Sequence, residues 1–135
     1  ADSRTLTQFN HQVDRVLVDA PCSGLGTLHR HADARWRQTP ESVAHLVLLQ
    51  NELLEQAASW VKTNGVLVYA TCTLHPAENE QVVEQFLDSH SNWQLVAPTA
   101  SSPASGFVTA NGWVKVLPHH HSMDGFFMAR LERQD

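Results

Sequence analysis

The sequence is short of cysteine, of positive charge and of long apolar runs. Only two cysteines, Cys22 and Cys72, stand among 135 residues. Nine histidines are present, yet neither a C-x-x-C nor an H-E-x-x-H spacing occurs, so the usual ligand patterns of a zinc site are missing and no metal is expected. Nine Lys and Arg against fourteen Asp and Glu give a net charge of -5 with neutral histidines. That excludes a globally basic nucleic-acid binder, while leaving room for a local basic patch. No run of about eighteen apolar residues is found, so no transmembrane helix is expected. The opening Ala1-Asp-Ser-Arg-Thr-Leu6 lacks the basic-then-apolar order of a secretory signal. Without such a signal, the cysteines read as reduced thiols in a cytoplasmic protein. The first residue is Ala rather than Met, which fits a piece of a longer protein.

What is present is 42% hydrophobic sequence, enough for one domain with a real core over residues 1–135. It is organised around Arg15-Val-Leu-Val-Asp-Ala-Pro-Cys-Ser-Gly-Leu-Gly26, a strand-like run ending in an acid, a proline, a thiol and glycines. Gly65-Val-Leu-Val-Tyr-Ala-Thr-Cys72 repeats the plan. The unbroken apolar character of Val16–Val18 suits burial on both faces of a sheet. Thr39-Pro40-Glu41 reads as a helix start, with a cap and a proline in the first turn. Apolar residues then recur at Val43, Leu46, Val47, Leu49, Leu53, Leu54, Ala57, Ala58 and Val61, and Asn64-Gly65 is the expected stop. A second helix starts at Pro76-Ala-Glu-Asn-Glu80, whose acids complement its dipole. Trp93–Ala97 reads as a third strand and Thr99–Gly106 as a mobile loop. Phe107–Leu117 reads as a hairpin turning at Asn111-Gly112, and Phe126–Leu131 as a last strand. The order predicts an α/β fold with a parallel start and an antiparallel, hairpin-like finish.

Each cysteine follows a strand, at the carboxyl edge where open α/β sheets bind ligands. Pro21 stiffens the exit from the first strand, and Gly24 and Gly26 allow a ligand to approach closely. Asp19 can accept hydrogen bonds from an amino group at that edge. If the strands are neighbours, Cys22 and Cys72 face one pocket, where a thiolate would be a strong nucleophile. The alternative is that both are small buried hydrophobes. Arg30, Arg35 and Arg37, with His29 and His31, form the one basic concentration and suit RNA phosphates, with Trp36 to pack or stack; a solvated loop is the plainer reading. His119-His-His121 reads as a polar loop.

These motifs together resemble the RNA (cytosine-5) methyltransferases of the Sun or RsmB-like ribosomal RNA type. Asp14-Arg-Val-Leu-Val-Asp-Ala-Pro-Cys-Ser-Gly24 resembles the family's Pro-Cys signature, and Arg30-His-Ala-Asp-Ala-Arg-Trp36 the segment after it. Leu67-Val-Tyr-Ala-Thr-Cys-Thr-Leu-His-Pro-Ala-Glu-Asn-Glu80 is similar to its second cysteine motif, and Asp124-Gly-Phe-Phe-Met-Ala-Arg-Leu131 to its closing strand. The resemblance implies the C-terminal half of a Rossmann-like methyltransferase domain, S-adenosylmethionine as cofactor and ribosomal RNA as partner. It makes Cys72 the nucleophile and implicates Cys22 in product release; DNA cytosine-5 methyltransferases use the Pro-Cys thiol, so the swapped assignment stays open. It places Asp19 near cofactor and base, and Asp2 against the cofactor adenine, where the plain alternative is an exposed acid. Glu78-Asn-Glu80 either charges the helix start or supports the cysteine loop, as this segment does in the family. The family's glycine-rich loop, the acid that follows it and an RNA-recognition region have no counterpart before Asp14. The chain is therefore expected to bind S-adenosylmethionine weakly or not at all, and to pair its open sheet edge at Val16–Val18 with the missing half or with another copy. Two other classes are a non-catalytic RNA-binding module derived from this fold and a thiol redox protein.

Overall fold

The first apolar run becomes strand β1, Val13–Asp19, and the second becomes β2, Val61–Thr71. The computed structural model describes residues 2–24, 39–117 and 125–135. The two strands are parallel, in register from Arg15 opposite Val66 to Asp19 opposite Ala70. Parallel neighbours need a crossover, and helix α1, Pro40–Trp60, lies within it. Its start is a reciprocal cap. The Ser42 N–H donates to Thr39 Oγ1 at 3.1 Å, and the Thr39 N–H donates to Ser42 Oγ at 2.8 Å.

The helix stops four residues before Asn64-Gly65, contrary to expectation. Val61 is fully buried and pairs with Val13, so the chain is already strand there. Asn64, at φ 67°, and Gly65 instead serve a bulge in β2. Gly65 has no room for a side chain: a Cβ would lie 2.4 Å from Val61 Cγ1 and 2.9 Å from the Asp14 carbonyl oxygen.

After β2 a 3-10 turn at Pro76–Glu78 leads into helix α2, Glu80–Ser89. Strands β3, Trp93–Leu95, β4, Val114–Val116, and β5, Phe126–Arg133, complete the sheet. β5 runs antiparallel to β2, and both β3 and β4 pair with it antiparallel. Met128 of β5 faces Ala70 on one side and Val114 on the other. The sheet is open, in the order β1-β2-β5-β3 with β4 beside β5. The expected hairpin survives as its turn. The Gly112 N–H donates to the Thr109 carbonyl at 3.0 Å, and Gly112 takes φ 93°. Its first arm, however, is reduced to the bridge of Val108 to Val114 and the bond from the Thr109 N–H to the Trp113 carbonyl at 2.7 Å, and a 3-10 turn at Pro103–Phe107 takes its first residue. That turn, capped by Ser102, also replaces part of the expected loop.

One face of the sheet carries the core. Leu67, Tyr69, Phe127 and Leu131 pack with Leu54 and Ala57 of α1 and Val82, Val83 and Phe86 of α2. Burying each large side chain contributes about 1.5–3 kcal/mol. The opposite face is only partly covered, and Leu17 is 68% exposed. The expectation that β1 is buried on both faces is thus corrected: β1 lies at the sheet edge, and no described helix covers Leu17. No described helix is long and apolar enough to cross a membrane.

Candidate functional site

Parallel pairing brings the ends of β1 and β2 to one edge. The Ala20 N–H donates to the Ala70 carbonyl at 2.9 Å and extends the ladder one residue past Asp19. Pro21 then ends it, having no N–H to donate. Cys22 follows Asp19 by three residues and Cys72 follows Ala70 by two. Their sulfurs lie 3.1 Å apart as free thiols, both half-buried. At that distance one S–H is shared as a hydrogen bond. Burial, and then the neighbouring Cys72 thiol, push the Cys22 pKa up from an ordinary 9.0 to about 12. Cys22 therefore holds its proton at neutral pH.

Beneath the thiols lies a buried polar network. The Glu78 carboxylate is fully buried in the 3-10 turn that follows the Cys72 loop. It accepts from the Ser23 N–H at 2.8 Å, from the Ser23 hydroxyl at 2.7 Å and from Gln50 Nε2 at 3.1 Å. Gln50 Nε2 also donates to the Pro21 carbonyl at 2.9 Å. The Ser23 hydroxyl proton is committed to Glu78, so Thr73 Oγ1 donates to Ser23 Oγ across 2.9 Å. Asn79 is held in turn: its Oδ1 accepts from Thr71 Oγ1 at 2.6 Å, and its Nδ2 donates to the Thr73 carbonyl at 2.9 Å. The Tyr69 hydroxyl donates to the Glu78 carbonyl at 2.7 Å, and burial raises its pKa above the ordinary tyrosine range.

Asp19 is exposed at the sheet edge, on a cleft of about 280 Å³ shared with Ser3, Val18, Pro21, Leu53 and Trp60. A carboxylate acceptor against apolar walls could hold part of a nucleoside. Asp2 stands next to this cleft in sequence, but its carboxylate is taken up locally. It caps the short turn at Ser3–Thr5 through the Arg4 N–H at 2.9 Å, and it pairs with the Arg4 guanidinium at 2.6 Å. Those hydrogen bonds hold the Asp2 pKa down at about 2. Arg30, Arg35 and Arg37, with His29, His31 and Trp36, lie outside the described residues, as do His119-His-His121. The structure therefore joins Cys22 with Cys72, sets Asp19 at the same edge and leaves Asp2 engaged with Arg4.

Sequence reasoning passed over Gln50 and Ser23, and for Glu78 it left open a charge at the helix start or support of the cysteine loop; the carboxylate's bonds to Ser23 favour the second. Gln50 carried a readable signal. It falls on the stripe Val43, Val47, Gln50, Leu54, Ala57, the one polar residue at an inward-facing position of α1. Buried polar groups need partners, and here the partners lie beside Cys22.

A family model described as 16S rRNA methyltransferase RsmB/F matches residues 1–132. The chain is 53% identical over 123 residues to a probable ribosomal RNA small subunit methyltransferase B of Synechocystis, covering 90% of this chain and 27% of that protein. It is 35% identical over 128 residues to the probable methyltransferase B of Bacillus subtilis, covering 93% of this chain and 28% of that one. Among solved structures, PH0851 superposes with a TM-score of 0.87 at 37% identity, over 98% of this chain and 30% of that chain. NSun6 from Pyrococcus horikoshii, solved with SFG, superposes with a TM-score of 0.80 at 29% identity, over 100% of this chain and 34% of that one. The chain thus spans under a third of the length of these curated relatives. Both thiol loops and the open sheet fall within the matched region, and the chain belongs to the 16S rRNA methyltransferase RsmB/F family.

Proposed function

We propose that the protein containing this chain methylates carbon 5 of a cytosine in RNA through a covalent cysteine adduct, with small-subunit ribosomal RNA as the substrate that the relatives' names support. Residues 1–135 form part of its catalytic domain. The observation that carries this reading is the pair of sulfurs 3.1 Å apart at the carboxyl ends of two adjacent parallel strands.

Carbon 5 of cytosine is a weak nucleophile. Addition of the Cys72 thiolate to carbon 6 moves an electron pair toward carbon 5 and makes it enamine-like. Bound S-adenosylmethionine would supply the electrophilic methyl group that carbon 5 takes up. Transfer of the carbon-5 proton to water then restores the ring double bond and expels Cys72 as a thiolate, to which the Cys22 S–H can donate a hydrogen bond. The raised pKa of Cys22 suits that role, because it keeps a proton where a second thiolate would compete with the nucleophile. Asp19 would accept from amino or hydroxyl groups at the sheet edge, and Ser3, Leu53 and Trp60 would wall the nucleoside. Asp2 joins that site only if its bond to Arg4 is exchanged. Arg30, Arg35 and Arg37 would bind RNA phosphates. The need of this chemistry for reduced thiols supports a cytoplasmic location.

The test is made on the full-length enzyme with its RNA and S-adenosylmethionine. Cys72→Ala should abolish methylation, and Cys22→Ala should accumulate a covalent RNA adduct that resists denaturing electrophoresis. An adduct seen with Cys72→Ala and not with Cys22→Ala would exchange the two roles. Undiminished methylation in Cys72→Ala would refute the mechanism.

A further inference from the structure

We propose that Glu78 and Asn79 form a two-residue yoke that sets the distance between the two thiols, with Glu78 as the positioning residue for Cys22 and therefore for release of the product. The release part rests on the covalent reading above; the geometric part does not.

Each of these two successive residues grips the neighbours of one cysteine. Asn79 holds Thr71 and Thr73, the residues on either side of Cys72. Glu78 holds Ser23 by both its N–H and its hydroxyl, and Gln50 bridges from Glu78 to the Pro21 carbonyl. Pro21 and Ser23 are the residues on either side of Cys22. Thr73 Oγ1 bonded to Ser23 Oγ ties the two grips together. The ladder between β1 and β2 ends at Ala20 and Ala70, so regular sheet pairing does not reach either thiol. Beyond that point side-chain hydrogen bonds tie the two loops together, beside the contact of the Cys22 sulfur with the Cys72 backbone.

A charge-cap role does not account for this arrangement. A carboxylate that only complements a helix dipole can stay in water. The Glu78 side chain is instead fully buried, where an ionisable group is costly unless its hydrogen bonds are met. Both of its oxygens are used, and two of its three donors are on Ser23. The carboxylate belongs to the Cys22 loop as much as to the turn that carries it.

Glu78→Gln keeps the size of the side chain but turns an amide N–H₂ toward donors. The companion variant, Ser23→Ala, removes one hydroxyl and leaves Glu78 in place. In the full-length protein, phenylarsine oxide reports the spacing directly. It forms two As–S bonds with an adjacent pair of thiols and releases one water. Mapping the peptides that carry Cys22 and Cys72 keeps other thiols out of the measurement. Bridging of the pair should weaken by about tenfold or more in both variants, as expected for loss of a hydrogen bond to a charged group. N-ethylmaleimide, which needs one thiol at a time, should still label each cysteine in the folded protein. With RNA and S-adenosylmethionine, the covalent adduct should form and persist, as expected for Cys22→Ala. A merely structural role would lower adduct formation and melting temperature together, without a persisting adduct.

Bridging at wild-type strength in both variants would overturn the yoke, and so would unfolding of both. If the wild-type enzyme forms no adduct at all, the covalent reading fails, while the arsenical result still decides the geometry.

Discussion

Cys22 keeps its proton because its sulfur is half-buried and another thiol lies against it. At pH 8, N-ethylmaleimide should therefore label Cys72 before Cys22, as peptide mass mapping would show. Equal labelling rates would contradict the assignment of the held proton to Cys22. The same shift has a consequence for stability. Below about pH 9 the thiol is protonated in both folded and unfolded chains, and it adds no pH dependence. Between 9.0 and about 12 the unfolded chain releases the proton and the folded chain retains it. The unfolded state then binds fewer protons, so stability falls as pH rises. The melting temperature should decline across that window more steeply in the wild type than in Cys22→Ala. Equal slopes would show that the folded environment does not hold the proton.

At the scale of elements, the bulge in β2 carries a sharper prediction. Gly65 lies where Val61 Cγ1, the Lys62 carbonyl and the Asp14 carbonyl would all be within 2.9 Å of a Cβ. Two of these are backbone atoms and cannot swing away. Gly65→Ala should cost about 1–3 kcal/mol by overpacking, measured as a lower denaturant midpoint. Thr39→Ala, which loses only a helix cap, should cost about 1 kcal/mol. An unchanged midpoint for Gly65→Ala would mean that the bulge relaxes. These two sites also mark what was legible beforehand. Thr39 could be read from the sequence because capping is local: a hydroxyl followed by proline and acid needs nothing beyond the first turn. The end of α1 could not be read in that way. Val61 fits the helical spacing, and only its pairing with Val13, 48 positions earlier in the sequence, makes it strand. Cys22 and Cys72 could be placed on one edge because parallel strands align their ends. Glu78 could not be linked to Ser23, since an acid two residues after the proline of a helix start reads equally well as charge for the dipole. The grip on Ser23 spans 55 positions and shows no sequence period.

At the scale of the whole molecule, the sheet is covered on one face and open along one side. Among the described residues no strand pairs with the outer edge of β1. The adjoining face presents Leu17 at 68% exposure, and Val66 and Val68 line a depression beside it with Arg15 and Arg130. Two separate forces favour association there. Unpaired strand edges present ladder donors and acceptors to any matching strand, and exposed apolar surface gains by leaving water. In a protein three times this length, other segments of the same chain would be the first competitors for that surface. Among the described residues of the 135-residue chain no segment covers that surface, so the chain by itself should self-associate. Sedimentation should show a concentration-dependent rise above the 15.0 kDa of one copy. Leu17→Lys should shift the distribution back toward one copy, because a charge on an edge strand opposes pairing without touching the core on the other face. A single 15.0 kDa species for the unsubstituted chain at every concentration would refute the argument. Association unaltered by Leu17→Lys would move the contact away from this face.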